Sequence, residues 1–228
     1  MNAKCSPDYA SILRYTDNGK PLGFNGKIKL MPRLNEPLKR KKPTMYFVNS
    51  MSDLFHKDVP FGFLMDAFMV MREAGQHTFQ ILTKRPERIL EFAEDYTRRT
   101  TGQLSEFPNV WLGVSVENQR TADERIPYLL KTPAAIRFLS CEPLLEKIDL
   151  LNYILHEPHP QEKLDWIIIG CESGKNRREC KIEWVESIVN QFRGTGVKIF
   201  IKQLSINGKV EKDIKKFPSH LQVREYPI

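Results

Sequence analysis

Six short apolar runs recur along the chain, and each ends in polar or charged residues. The run at 164–169 is rich in β-branched residues and is followed by glycine and a carboxylate, a pattern typical of a strand buried on both faces. Marker positions near the start of the six runs lie at 46, 80, 111, 137, 167 and 199, with successive differences of 34, 31, 26, 30 and 32 residues. A βαβ unit needs roughly 30 residues. The spacing therefore predicts repeated strand–helix units that form one parallel sheet.

Apolar residues at helical spacing follow most runs. They predict helices over 61–74, 86–98, 148–155 and 182–192, and one after the third run that ends at about 131. Gly75 is the predicted C-cap of the first helix. Residues 1–42 form an irregular N-terminal segment with a helix fragment at 10–15, a turn at 17–21 and a weak strand at 26–30. Residues 207–228 are predicted to be a charged C-terminal tail that includes an extended piece at 221–223. A full (β/α)₈ barrel typically needs about 250 residues. The 228 residues therefore favour one domain, an incomplete TIM-like (β/α) barrel with about six to seven parallel strands.

The net charge of +7 and pI of about 9.2 leave two interpretations open, an anionic partner such as nucleic acid or an evenly solvated basic surface. The basic run at 39–42 precedes a strand and is expected to cap a loop. No apolar stretch approaches the roughly 18 to 20 residues of a membrane span, and no signal-peptide core follows Met1. We therefore expect a cytoplasmic location and no association with membranes. The four cysteines form no C-x-x-C pair, which favours reduced thiols.

Ligand sites of parallel α/β folds lie at the carboxyl ends of the strands. By this rule, the polar residues that follow the predicted strands should form a ring around the mouth of the barrel. They are Asn49, Ser52, Asp53, His56, Thr83, Lys84, Arg85, Ser115, Glu117, Asn118, Ser140, Glu142, Glu172, Ser173, Lys202 and Gln203.

Three glutamates, Glu117, Glu142 and Glu172, occupy matching places two to three residues beyond their strands and are the candidate catalytic residues. Together with Asp53 and His56 they could bind a metal, perform acid–base chemistry, or form ion pairs across the mouth of the barrel. The adjacent Lys84 and Arg85 lie beside a helix N-terminus and are candidates for binding an anion. The alternative is that they form ion pairs with the glutamates. Lys202 is likewise expected to bind an anion.

Several strand-end motifs resemble those of a phage-associated bacterial family of unknown function, the three-Cys-motif family (DUF5131). The motifs occur in order from about Cys5 to Gln203, and they are FVNSMSDLFH at 47–56, LTKRP at 82–86, WLGVSVE at 111–117, LSCEPL at 139–144 and GCESG at 170–174.

That family is similar to radical S-adenosylmethionine proteins, and the resemblance implies a radical-SAM-like enzyme, or its inactive remnant, that binds S-adenosylmethionine or another anionic ligand at the strand ends. Glu172 and Ser173 would hold polar groups of the ligand, and Lys84, Arg85 and Lys202 would hold an anion. The other implied binding residues are Asn49, Asp53, Thr83, Ser115 and Ser140.

The family motif C-x-x-C-Y-A corresponds to CSPDYA at 5–10, so the metal positions would be Cys5 and Asp8. A 4Fe-4S cluster is expected of the family, but a cubane cluster requires thiolate ligands, and only Cys5 matches. The chain is therefore expected to be truncated or diverged at its cluster site, or to rely on a partner protein for the missing elements.

Overall fold

A computed structural model describes residues 12–31, 33–50, 52–155 and 163–227. The strands in chain order are β1 (Leu13–Tyr15), β2 (Pro21–Phe24), β3 (Met45–Val48), β4 (Thr78–Thr83), β5 (Val110–Ser115), β6 (Ile136–Cys141), β7 (Trp166–Gly170), β8 (Lys198–Ile206) and β9 (Lys209–Glu211). The α-helices are α1 (Glu36–Lys39), α2 (Phe61–Glu73), α3 (Pro86–Thr100), α4 (Gln119–Lys131), α5 (Asn152–Leu155) and α6 (Ile182–Gln191). Short 3₁₀ turns lie at Leu104–Glu106, Ile214–Lys216 and Ser219–Leu221. No helix in these ranges is long and apolar enough to cross a membrane.

Strands β3 to β9 form one sheet in which spatial order follows chain order. Strands β3 to β8 are parallel, and β9 pairs antiparallel with β8. A doubly wound sheet reverses its strand order at a switch point, whereas this order runs one way only. The sheet curls into a half-barrel, and the predicted incomplete TIM-like barrel is confirmed.

The convex face of the sheet packs under the helices and forms the main core. Alternate strand residues such as Phe79, Ile81, Leu112 and Ile169 point to this side and are almost fully buried. A strand directs successive side chains to opposite faces, so the residues between them point to the concave side.

The concave face carries a second apolar cluster, formed by Trp111, Phe138, Trp166 and Ile168, with Leu82, Ile136 and Phe200 packed against it. Both faces of β5 and β7 are buried. The prediction of strands buried on both sides is therefore confirmed, and the inner side is filled by aromatic rings.

The N-terminal segment differs from prediction. Leu13–Tyr15 is a strand of a two-stranded antiparallel hairpin with β2, so the predicted helix over 10–15 is wrong there, while residues 10 and 11 lie outside the described ranges. The turn at 17–21 is confirmed, with Gly19 at φ +72°. The strand predicted at 26–30 is also wrong, because Gly26 adopts φ +83° and starts an irregular stretch there.

Two helix ends also differ. Helix α2 ends at Glu73 with Ala74 as its C-cap, so Gly75, the predicted cap, lies one residue beyond the observed one. The helix predicted over 148–155 is shortened to α5, because the Gln191 side chain forms hydrogen bonds with two backbone groups that precede α5. Gln191 Nε2 donates to the carbonyl of Ile148 at 2.9 Å, and Gln191 Oε1 accepts from the amide of Leu150 at 2.6 Å.

The C-terminal segment folds along the outer edge of β8. The amide of Ile201 donates to the carbonyl of Val223, and the amide of Glu225 donates to the carbonyl of Ile199. Leu221 and Phe217 are buried. The extended piece is thus present near its predicted position, and it covers an edge that would otherwise expose backbone groups.

Candidate functional site

Side chains at the carboxyl ends of β4 to β8 meet at one end of the concave face. Lys84 continues the inward alternation of β4, and Glu117 continues that of β5. Glu142 and Lys202 follow the inward-pointing Phe138 and Phe200 in the same way. These four members of the predicted ring therefore lie at one end of the concave face, where Lys84 contacts Glu117 and Lys202 contacts Glu142.

Asp53 ties the loop after β3 to the end of β4. Its Oδ1 accepts from Thr83 Oγ1 at 2.7 Å and from the amide of Phe55 at 2.9 Å, and its Oδ2 accepts from Arg85 Nη1 at 2.6 Å. Thr83 Oγ1 in turn accepts from the amide of Arg85 at 3.0 Å. These three predicted binding residues therefore satisfy one another and hold two loops together.

Glu117 lies between two cations. Lys84 Nζ contacts its Oε1, and Arg125 Nη1 lies 2.9 Å from its Oε2. Arg125 also donates to the carbonyl of Ser115 at 2.7 Å, which fixes the guanidinium. Burial alone would raise the pKa of Glu117, but the hydrogen bond and charge of Lys84, with the charge of Arg125, outweigh it and lower that pKa. Glu117 is therefore ionised at neutral pH.

Glu142 lies against the backbone of β7. Lys202 Nζ is 3.2 Å from Glu142 Oε1, and Ser140 Oγ donates to Oε2 at 3.5 Å. A Cβ added to Gly170 would lie 2.5 Å from Glu142 Oε1. The glycine at this position therefore leaves room for the Glu142 carboxylate beside the strand.

Glu172 forms a bidentate pair with Arg178 in the loop after β7. Arg178 Nη2 lies 2.8 Å from Oε1, and Arg178 Nε and its amide donate to Oε2 at 3.0 and 2.8 Å. These hydrogen bonds lower the pKa of Glu172 to about 2. The alternative of ion pairing is thus the one observed for all three glutamates.

A family model described as a protein of unknown function (DUF5131) matches residues 4–225. The chain belongs to the DUF5131 family. No curated protein and no solved structure matches it. The resemblance found in the motifs is confirmed, and the match extends beyond Gln203 into the segment that covers β8.

The cysteines described in this DUF5131 protein do not fit an iron–sulfur cluster. Cys141, Cys171 and Cys180 are all buried. Burial raises the pKa of each thiol, that of Cys180 to about 12, although a cluster binds thiolates. The predicted metal positions Cys5 and Asp8 lie outside the described residues.

The described ranges also contain no group of three or more His, Cys, Asp or Glu placed to hold a metal ion. Each glutamate contacts its own cation instead. The alternative of three glutamates sharing a metal therefore finds no support in these ranges.

The remaining predicted residues of this DUF5131 chain lie around the mouth in different roles. Asn49 is exposed and turns the chain after β3 at φ +57°. Ser173 is exposed beside Glu172, and Gln203 Nε2 donates to the carbonyl of Cys171 at 2.6 Å. Asn118 caps α4, since its Oδ1 accepts from the amide of Thr121 at 2.9 Å.

Sequence reasoning missed Arg125 and Arg178. Arg125 lies in α4, eight residues after Glu117, and Arg178 lies in a loop, six residues after Glu172. No motif or spacing singles them out, because each reaches its glutamate only through the fold.

The pair formed by Glu172 and Arg178 predicts a specific acid response. The pKa of Glu172 is lower in the folded chain than its ordinary value, so the pair stabilises the fold above about pH 4.5, and this contribution is lost as the pH falls toward about 2. In Glu172→Gln the loss of thermal stability relative to the unsubstituted chain should be greatest at pH 7 and should shrink below pH 4. Melting temperatures between pH 3 and 7 measure this, with Glu91→Gln on the exposed side of α3 as control. A deficit that stays constant across the range contradicts the expectation.

Proposed function

We propose that this DUF5131 protein binds a small ligand with an anionic group at the carboxyl ends of β4 to β8. S-adenosylmethionine is the first candidate, because its amino-acid part carries a carboxylate, and another small anionic ligand is the alternative. The observation that carries the proposal is the position of Lys84.

Lys84 is the surplus cation of the mouth. Glu117 is already countered by Arg125, whose side chain is 16% exposed and fixed by the Ser115 carbonyl. The Lys84 side chain is 60% exposed, so its ammonium group can reach a ligand without leaving a buried carboxylate unpaired. An anion at Lys84 therefore still leaves Glu117 paired with Arg125.

The charges around the mouth also favour an anion. Four carboxylates, those of Asp53, Glu117, Glu142 and Glu172, contact five cations, which are Lys84, Arg85, Arg125, Arg178 and Lys202. Lys202 is 58% exposed, so a second cation is accessible on the far side of the curled sheet. The surplus of one cation over the carboxylates makes the mouth net positive, and a net positive site raises the local concentration of anionic ligands.

Glu117 and Glu172 fit a binding role better than acid–base catalysis. A general acid or base works best when its pKa lies near the operating pH. The pKa values of Glu117 and Glu172 are lowered by their cations, which keeps both groups ionised and hydrogen-bonded. Such fixed charges can orient a zwitterionic ligand.

The inner surface beneath the charges is apolar. Leu82, Ile168 and Phe200 belong to the concave cluster or pack against it, next to the strand ends. Ligand pockets commonly combine an apolar lining with a few polar groups that fix orientation. An aromatic base of the ligand would lie on this surface while its anionic group meets Lys84.

Isothermal titration of the chain with S-adenosylmethionine tests the proposal. Loss of a hydrogen bond to a charged group costs about 1.5 to 3 kcal/mol, so Lys84→Gln should weaken binding by about ten- to hundredfold. Lys131→Gln, an exposed lysine at the end of α4, is the matched control and should bind like the unsubstituted chain. No heat of binding, or equal affinity of Lys84→Gln and Lys131→Gln, would overturn S-adenosylmethionine as the ligand of this site.

A further inference from the structure

The excess positive charge of the chain is concentrated in one segment. Residues 27–42, here called the basic strap, contain one acidic residue, Glu36, and seven basic ones, a net charge of +6. The whole chain has a net charge of +7, so the other residues together carry +1. All seven basic residues are exposed, namely Lys27, Lys29, Arg33, Lys39, Arg40, Lys41 and Lys42. The basic surface is therefore local, not spread evenly over the protein.

Exposed apolar side chains accumulate in the same part of the chain. Among the described residues, six of the ten large exposed apolar side chains come before residue 48: Tyr15, Leu22, Leu30, Leu38, Met45 and Phe47. Met45 and Phe47 are 47% and 46% exposed and alternate with Tyr46 and Val48, which pack on the core. They therefore face the concave side at the β3 edge of the sheet that the described residues form.

The strap runs beside that edge. Its residues Ile28 and Leu34 pack against the core. Farther along, the carbonyl of Pro37 lies 3.0 Å from His77 Nε2, and the carbonyl of Arg40 accepts from Gln76 Nε2 at 3.1 Å. The contacts of α1 and of residues 40–44 place the end of the strap near the start of β3.

A cavity of about 560 Å³ lies between the strap and the end of β3. Lys27, Lys29 and Arg33 line one side, and Phe47 and Asn49 line the other. Cations and an exposed aromatic ring thus share one concave surface.

We propose that the basic strap and the β3 edge of the sheet form a binding surface for single-stranded nucleic acid. The cations would contact phosphates, and Phe47 would stack with an unpaired base, the combination by which proteins hold single strands without reading their sequence. A duplex offers phosphates but keeps its bases stacked inside, which leaves Phe47 and Met45 without a partner. An acidic protein segment without aromatic residues would likewise leave Phe47 without a partner.

Fluorescence anisotropy with a labelled 20-nucleotide single-stranded DNA of mixed sequence, measured from 50 to 300 mM salt, tests the electrostatic part. Each contact of a cation with a single-strand phosphate contributes about 0.7 to the slope of log affinity against log salt. Neutralising residues 39–42 in K39Q/R40Q/K41Q/K42Q should reduce that slope by about 2 to 3. The control K131Q/K147Q/K163Q/R193Q removes four exposed charges elsewhere and should leave the slope nearly unchanged. Absent binding at 50 mM salt, or equal effects of the two variants, overturns the proposal.

The aromatic part is tested separately. Phe47→Ala should weaken single-strand binding by about tenfold at constant salt slope, since base stacking on an aromatic ring is worth about 1 to 3 kcal/mol. Tyr128→Ala, which removes an aromatic ring that is 43% exposed on α4, is the matched control and should have no effect. Equal binding of a 20-base-pair duplex with no effect of Phe47→Ala would assign the surface to double-stranded DNA. Binding of polyglutamate as tight as that of DNA would assign it to an acidic protein. Either result contradicts the single-strand proposal.

Discussion

Replacing Trp166 by alanine is expected to lower the free energy of unfolding by about 3 to 5 kcal/mol. Trp166 is 2% exposed and is the centre of the concave cluster. Its ring contacts Trp111 and Phe200 edge-on, with centroids 5.7 and 6.0 Å away, and it also packs on Phe138 and Tyr226. The indole Nε1 donates to the carbonyl of Glu225 at 2.8 Å, so the substitution also releases the segment that covers β8.

Urea denaturation followed by circular dichroism measures this loss without depending on the removed fluorophore. Trp184→Ala provides the control, because Trp184 lies on α6 and is only partly buried. A smaller loss is expected there. If Trp166→Ala costs less than Trp184→Ala, the inner face of the half-barrel is not a packed core.

The second large effect is expected at Gly113, where alanine should lower the free energy of unfolding by about 3 kcal/mol, at the upper end of typical overpacking costs. A Cβ built there lies 2.5 Å from two atoms of the Phe138 ring and 2.6 Å from a third. Phe138 is fully buried against Trp166, so the ring has little room to move away. Because Gly113 has no side chain, the Phe138 ring can pack directly against the backbone in the middle of β5.

Gly62→Ala is the matched control, since no heavy atom lies within 4 Å of the added Cβ and the residue lies in α2. Alanine is the better helix former by about 1 kcal/mol. This variant should be as stable as the unsubstituted chain or more so, in the same urea titration. Equal destabilisation by the two substitutions would show that the Phe138 ring does not occupy the space beside Gly113.

The barrel could be predicted because its strands are contiguous and buried. Runs such as those of β5 and β7 consist of apolar residues on both faces, and their spacing of about 30 residues leaves room for one helix each. The N-terminal segment lacks such a period, and its hairpin depends on glycines whose positive φ no hydrophobic pattern reveals. The shortened α5 depends on Gln191, which lies 43 residues after the carbonyl it binds.

The strand-end rule located the candidate site because parallel strands bring their carboxyl ends together. Lys84, Glu117, Glu142 and Lys202 all lie on the mouth and face inward. The rule could not say which cation contacts which carboxylate, because Arg125 comes from helix α4 and Arg178 lies eight residues beyond the end of β7. It also could not separate Asp53, Thr83 and Arg85, whose groups are engaged with one another, from the accessible Lys84.

The two proposed surfaces adjoin each other. Asp53 lines the cavity beside the strap, and through Arg85 it connects with the end of β4, next to Lys84. A nucleic acid on the strap and a small ligand at Lys84 would therefore lie at neighbouring strand ends of the half-barrel. Each surface is tested by its own variants, so failure of one proposal leaves the other standing.

A crystal structure of the chain grown with S-adenosylmethionine is the most direct test of the strand-end site. Ligand density is expected over the concave face at the ends of β4 to β8, with the ligand carboxylate within hydrogen-bonding distance of Lys84 Nζ. Ligand density confined to the cavity beside β3, or to the opposite end of the half-barrel, would contradict it.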